Sequence, residues 1–473
     1  MDEELTFHGR WWLPGNRDDA TFGTLSYVPG ESIELELMGQ FQEDNGQSEQ
    51  SLREMCHARS VPVVLGNTQQ GKPVTLLSCI VQPKSTGHVE FPLHTVRARQ
   101  LVHGMHASNP DKLRFENWTI RFNLFDDWLQ HTGLREKIIA FVAPRASDKE
   151  LAEASYKFPT SLSLRVDGQQ LEIETSPSFN TGKRNRTHRI LWKQKTGLRL
   201  IPDDPQPVEW FTNHLWRLRR LFTLLTDEKV YTLGAQGLLR SSGDSEQADL
   251  YFSESGSPEA VLDKPHFRMI APRQALNDFE QTVSRWYQLY DRHSPTLDLF
   301  FTAAYDGHLP IRFEFLALAK ALSLFAAREF GSTHISETDF ERLKDEARQL
   351  LPDDSGTEFR ADFMRHISAA NSTSFPTNLR RLFNSLDTDL LEALEIDDRD
   401  DFVDSTTHIR DYIVDHFTGE GGGQRPTGEE ILQTSAYLHR ILLAVLLDYL
   451  DVSGKQIRTA LRQNVMIPTF VGL

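Results

Sequence analysis

Cysteine is almost missing from this chain: two in 473 residues, Cys56 and Cys79, and they form no CxxC pair. That argues against a disulfide-stapled secreted scaffold and for a reduced cytoplasm. Cys56-His57 has no second cysteine nearby, so no metal site is expected there. Long apolar runs are also lacking. The longest, Ile441 to Leu447, stops at Asp448, far short of the ~20 residues that span a bilayer. The opening MDEEL has no basic n-region, so no secretory signal and no membrane partner are expected. Neither a P-loop nor a Rossmann glycine pattern is present to hold a nucleotide, and a regulatory nucleotide bound in another way stays open. An excess of positive charge is missing as well: 51 Lys+Arg face 67 Asp+Glu, a net charge of −16. Indiscriminate nucleic-acid coating is thereby disfavoured, whereas an enzyme acting on one structured RNA needs only a local basic surface.

What is present begins with alternation. A chain of this length predicts two or three domains, and 39% hydrophobic with 25% charged residues describes a globular protein. In SIELELMGQF, apolar Ile33, Leu35 and Leu37 alternate with Glu34 and Glu36, which predicts a half-buried strand. TFGTLSY, VPVVLG, PVTLLSCIV, FENWTIRF and KIIAFVA read as further strands. LSLRVDGQQLEIET reads as a hairpin turning at Asp167-Gly168. A β-rich sandwich or barrel-like domain is therefore expected over residues 1–205. Trp11 and Trp12 read as buried anchors of its first strand rather than as a binding platform. The densest basic run is GKRNRTHR, where Lys183, Arg184, Arg186 and Arg189 stand either in a solvated loop or in an RNA-contacting one.

The period then changes. WFTNHLWRLRRLFTLLT places Phe211, Leu215, Leu218, Phe222 and Leu225 at helical spacing, with Arg217, Arg219 and Arg220 expected on a solvated face. With a short β-like stretch around VYTLG and ADLYFSE, this reads as a connecting region over residues 206–276. Residues 277–473 read as a helical bundle. FEFLALAKALSLFAAREFG closes at Gly331, SETDFERLKDEARQLL opens on Ser336 as N-cap, and NLRRLFNSLDTDLLEALEI reads as one helix. The fold class is thus α+β and multidomain.

IRDYIVDHF, Ile409 to Phe417, brings a guanidinium (Arg410), a carboxylate (Asp411) and an imidazole (His416) within two helical turns. Such groups can grip a phosphate and move a proton near neutral pH. Spacing alone does not select them, because four other Arg–His pairs share it: Arg97/His103, Arg99/His106, Arg328/His334 and Arg360/His366. The first two lie among strands, the third straddles Gly331, and Ala361 follows Arg360. Only Arg410/His416 combines a polar neighbour, a helical setting and a following break. Six positions on an ideal helix separate the two by ~120°. They converge if the helix ends near His416 or if two copies share a cleft. On the residues alone, an Arg and a His on a wet helix face remain an equal reading.

RDYIVDH, followed by a polar loop and a long apolar helix, resembles the HEPN ribonuclease motif of Arg, a polar residue, a few more residues and His. FEFLALAKALSLF resembles the apolar helix that precedes it in such domains. WWLPGNRDDATFGTLSYVPGESIELELMGQF and VVLGNTQQGKPVTLLSC are similar to the N-terminal domain of the ApeA family, bacterial anti-phage proteins with a C-terminal HEPN domain. The resemblance implies a dimeric ribonuclease of abortive defence that cleaves RNA without metal or cofactor, with tRNA one candidate target. It implies His416 as general acid or base, Arg410 as the phosphate-holding cation and Asp411 as its orienter. Many family motifs have Asn where this chain has Asp411, which places a second charge beside the phosphate site. A β-domain that senses a phage-derived trigger or restrains the nuclease would complete the picture. Two rival readings stand beside it: a non-catalytic HEPN-like dimerisation or RNA-binding module, and a ligand-binding β-domain with a helical oligomerisation tail.

Overall fold

The first strand and the period-two stretches that follow it become antiparallel strands, β1 (Leu5–Trp12), β2 (Thr21–Tyr27), β3 (Ile33–Met38), β4 (Arg59–Thr68) and β5 (Pro73–Lys84), and a further strand not read from the sequence, β6 (Leu93–His103), joins them. A computed structural model describes residues 4–41, 58–84, 93–138, 152–166, 168–184, 189–241, 244–254, 271–307, 309–352, 356–418 and 425–463. These strands hydrogen-bond in the order β6-β3-β2-β1-β4-β5, and β5 pairs back onto β6, which closes a six-stranded barrel. Every second residue then faces a closed interior. Trp11, Leu25, Tyr27, Ile33, Leu35, Leu37, Val64, Leu76, Val96 and Leu101 fill it. Trp11 is fully buried and Trp12 nearly so. Cys79 lies in the same core, where burial pushes its thiol up to about 12. Gly66 is paired with Trp11 across β1 and β4, and a Cβ at Gly66 would clash with the Trp11 ring. The indole fits against β4 there because that position has no side chain.

β6 carries the sheet onward. Its Leu93–Ala98 half pairs with β3, while Gln100–His103 pairs with a later strand. Past β7 (Arg114–Phe115) come β8 (Asn117–Phe122), the short helix α1 (Phe125–Leu129), β9 (Leu134–Ile138) and β10 (Ala152–Tyr156). β11 (Ser163–Val166), β12 (Leu171–Arg184), β13 (Arg189–Pro202) and β14 (Gln206–Pro207) precede α2 (Val208–Thr226), β15 (Thr232–Ser241) and β16 (Asp244–Phe252). From β6 the sheet continues β16-β15-β8-β13-β12-β11. The apolar stripe read for α2 is buried on it, with Phe211 stacked on Trp118 at 4.8 Å and Phe222 against Phe125 and Trp128 at 5.0 Å each.

Several local readings change. β15 and β16 are interior strands of this sheet, so the stretch read as a connector belongs to the first compact unit, Met1–Arg273 with Asp278–Ser284. Gln274–Asn277 and Arg285–Leu473 form the second. The β11–β12 connection spans residues 167–170, with Gly168 at φ 74° and the Gln169 N–H donating to the Val166 carbonyl at 3.2 Å. Residues 168–170 are turn residues, and Asp167, the other residue of the expected turn, lies outside the described residues. Of KIIAFVA, residues 137–138 belong to β9 and the rest lie outside the described residues. Arg219 is not on a solvated face: it pairs at 3.1 Å with Glu254, whose side chain is 1% exposed, and lies 4.2 Å from the Trp216 ring.

In the second unit, α3 (Phe279–Ala304), which starts before the division, bends at His293, two residues before Pro295. α4 (Ile311–Phe330) stops at Gly331, whose φ of 86° suits a residue without a side chain. α5 (Glu337–Gln349) is capped by Ser336, as read, and α6 (Thr357–Ala370) follows. The stretch read as one helix is two, α7 (Phe375–Ser385) and α8 (Thr388–Leu394), because the Asp387 side chain accepts the Leu390 N–H at 2.7 Å and starts a new helix. α9 (Arg399–Thr418), α10 (Gly428–Tyr449) and α11 (Gly454–Gln463) complete the unit. By length and composition α10 alone, among the described residues, would reach across a membrane. Its apolar residues from Leu438 to Leu447 are instead buried inside the unit, along α4.

Two outcomes follow from this packing. Gly66→Ala should destabilise the first unit by about 1–3 kcal/mol or more, as overpacking does, seen as a lower denaturant midpoint followed by tryptophan fluorescence. His214 is buried beside Trp210, and burial, then the Arg217 charge, lowers its pKa to about 4. Its unfolded form takes up a proton near pH 6.5 but its folded form only near 4. Its contribution is therefore intact above about pH 6.5 and falls as pH drops toward 4, by at most roughly 3 kcal/mol. His214→Phe should flatten that part of the stability–pH curve.

Candidate active site

α9 is positioned by charge on one side and apolar contact on the other. The Asp398 carboxylate accepts the Asp401 N–H at 3.0 Å and caps its start. Arg380 of α7 clasps Asp400 at 3.1 Å and Asp404 at 2.8 Å. Val403, Thr406, Ile409 and Ile413 recur at helical spacing and are buried against α7 and α4. Phe402 reaches the Phe383 ring of α7 at 6.0 Å and Tyr437 of α10 at 5.8 Å.

Arg410 stands beside that buried stripe. Its Nη1 donates to Asp411 Oδ1 at 3.0 Å, and its Cζ lies 5.5 Å from the centre of the Phe375 ring. The guanidinium forms one wall of a cleft of about 500 Å³ between α4, the start of α7 and α9. Leu316, Ala319, Lys320 and Ser323 line it from α4, Thr373, Ser374 and Phe375 from the α7 start, and Val414 from α9. Among the described residues no carboxylate lines it, and Lys320 supplies a second cation. A guanidinium held by one carboxylate and one aromatic face, at the edge of a cleft with another cation, is suited to grip a phosphate or carboxylate.

α9 includes His416 and runs two residues past it, to Thr418. His416 therefore occupies a helical position ~120° around the axis from Arg410, and its side chain lies outside the described residues. Within one α9 the two backbone positions do not share a face.

The basic run lies in the first unit, at the end of the β12–β13 hairpin, where Lys183 pairs with Ile190 and Arg184 with Arg189. Lys183, Arg184 and Arg189 are thus strand residues rather than loop residues; their side chains, and all of Arg186, lie outside the described residues. Members of the competing Arg–His pairs have other contacts. Arg97 pairs with Glu34 at 2.9 Å, and His103 stacks on Phe7 at 5.1 Å. Arg360 donates to the Pro352 carbonyl at 2.6 Å, and His366 Nδ1 lies 2.7 Å from the Asp362 carbonyl. Lys320 and Phe375 were not singled out in the sequence. They lie ninety and thirty-five positions before Arg410, and no local pattern announces a contact made by packing three helices.

Residues 6–286 match the family model described as ApeA N-terminal domain 1, more than half of the chain. The chain belongs to the ApeA family. Residues 316–456 match Apea-like HEPN, a span that contains every residue lining the Arg410 cleft as well as Asp411 and His416. No curated protein and no solved structure matches the chain. The two matches place this ApeA-family chain among anti-phage HEPN proteins, whose HEPN domains generally are ribonucleases and dimerise.

The exposure of the Arg410–Asp411 pair decides what its removal costs. The side chains are 40% and 55% exposed, and pairs this open to water contribute about 0–1 kcal/mol. Asp411→Ala should leave the melting temperature within about 2 °C of wild type, measured by calorimetry.

Proposed function

We propose that this ApeA-family chain is a HEPN-type endoribonuclease of abortive anti-phage defence, and that Arg410, Asp411 and His416 carry its reaction. The observation behind this reading is the Arg410 cleft, which presents a braced guanidinium and a second cation inside the HEPN-matched region. The proposed step is attack of a ribose 2′-oxygen on the adjacent phosphorus. His416 removes the 2′-hydroxyl proton as the O–P bond forms. The P–O5′ bond breaks, the 5′-oxygen is protonated as it leaves, and the product carries a 2′,3′-cyclic phosphate. Arg410 holds the phosphate and balances the charge that grows on its oxygens. Asp411 fixes the guanidinium. These steps need no metal or other cofactor. tRNA is a candidate substrate, and the barrel unit would sense the phage-derived trigger or restrain the nuclease.

The backbone separation of Arg410 and His416 bears on how the site is assembled. Because one α9 sets them on different faces, the reading takes two copies of the chain to form one cleft, Arg410 from one and His416 from the other. The same separation favours a second reading, a non-catalytic HEPN-like dimerisation or RNA-binding module.

Incubating the purified chain with total bacterial RNA in excess EDTA, with and without infected-cell lysate, separates the two. Arg410→Ala and His416→Ala should each lower cleavage by at least about a hundredfold without changing melting temperature or oligomeric state. Mixing the two variants should restore part of the activity if a cleft is shared. Cleavage unchanged in both variants would sink the assignment.

A further inference from the structure

The barrel unit carries a second cationic groove, on the outer wall of three hydrogen-bonded strands. β1 lies between β2 and β4, and in register Arg10 of β1 faces Phe22 on one side and Asn67 on the other. The Arg10 guanidinium lies 5.6 Å from the Phe22 ring centre, and that ring is 63% exposed. Arg17, on the short turn between β1 and β2, covers the nearly buried Trp12 at 5.5 Å. Trp12 is held from another side by the edge of His106 at 5.3 Å. The groove between these groups measures about 550 Å³ and also takes in Gln69.

Three features define what fits. Two guanidiniums line the groove and, among the described residues, no carboxylate does. Among the described residues neither arginine has an ion-pair partner, in a chain whose acidic residues outnumber its basic ones, 67 to 51. An aromatic ring this exposed, with a cation at one face, offers a planar surface to a second ring. Asn67 and Gln69 add amide donors and acceptors at the rim, and the volume is that of a small-molecule site. A bare anion would leave the aromatic surface unused, and an acidic peptide would leave the planar stack unmade. Pairing a phosphate-binding cation with a stacking ring is how proteins hold nucleotide units irrespective of sequence.

We propose that this groove binds a nucleoside phosphate, free or within a single strand of nucleic acid, with Arg10 and Arg17 on the phosphate and Phe22 stacked on the base. The site gives the barrel unit a ligand of its own, and it stands whether or not the helical unit is a nuclease.

The test is calorimetric titration of the full chain with AMP, a dT8 oligonucleotide, inorganic phosphate and a hexa-aspartate peptide. AMP or dT8 should bind. Phe22→Ala should weaken that binding by about tenfold or more while leaving phosphate binding unchanged. Arg10→Ala and Arg17→Ala should weaken the nucleotide and phosphate alike. The Phe22-dependent part of the binding should persist in Arg410→Ala. Phe22, Arg10 and Arg17 are exposed, so these variants should fold, which near-UV circular dichroism checks. Tighter binding of dT8 than of AMP assigns the groove to a strand, and the reverse to a free nucleotide; both support the proposal. It is overturned if neither AMP nor dT8 binds, or if Arg10→Ala and Phe22→Ala bind as wild type does. Loss of nucleotide binding only in Arg410→Ala also overturns it, as does binding of the peptide alone, which would indicate an acidic protein partner.

Discussion

A β-strand has two hydrogen-bonding edges, and the first unit depends on how β6 divides one of them. One edge runs along β5 over its full length and closes the barrel. On the other edge β3, with 6 residues against 11 in β6, covers only Leu93–Ala98. The remaining N–H and C=O groups would form an open edge, which is costly when buried and prone to foreign pairing when exposed. β16 takes that place at Gln100–His103 and starts the second half of the sheet. Barrel and extension are therefore one hydrogen-bonded object, and a strand more than two hundred positions from the N-terminus becomes part of its frame.

Both cationic grooves follow a common physical logic. In each, a guanidinium lies over a phenylalanine ring, which holds its orientation while leaving N–H donors for a ligand: Arg410 on Phe375, and Arg10 on Phe22. Among the described residues neither lining includes a carboxylate, although the chain as a whole is acidic. Net charge governs long-range attraction to nucleic acid, but short-range recognition depends on which few charges share a cavity. A chain at −16 can keep two local clusters of cations while its overall field disfavours unselective binding.

Much of the element list was legible in the sequence, because it depends on near neighbours. Alternation marked β2 to β5, 3.6-residue spacing marked α2, and Ser336 and Gly331 marked helix ends, whereas β6 was not read as a strand. The errors have specific causes. Asp387 caps a helix inside a stretch that otherwise looks continuous, because its carboxylate offers the backbone a competing hydrogen bond. Arg219 looked solvated because its partner, Glu254, is thirty-five positions away. β15 and β16 looked like a connector because a strand's place in a sheet is set by its partners and not by its own residues. Lys320 and Phe375 carried no signal, since a contact between helices leaves no local pattern.

By itself the sequence determined the periodicities, and with them a β-rich first part, a helical second part, the family and the Arg410-Asp411-His416 stretch. These depend on which residues recur within one or two turns, or on an ordered string of residues. Tertiary structure alone decided that the sheet closes into a barrel, that the unit boundary lies beyond β16, that Arg410 rests on Phe375, and that Arg10 sits between Phe22 and Asn67. Each of these is a relation between segments distant in the chain, and only the burial of apolar surface with matched backbone hydrogen bonds selects it.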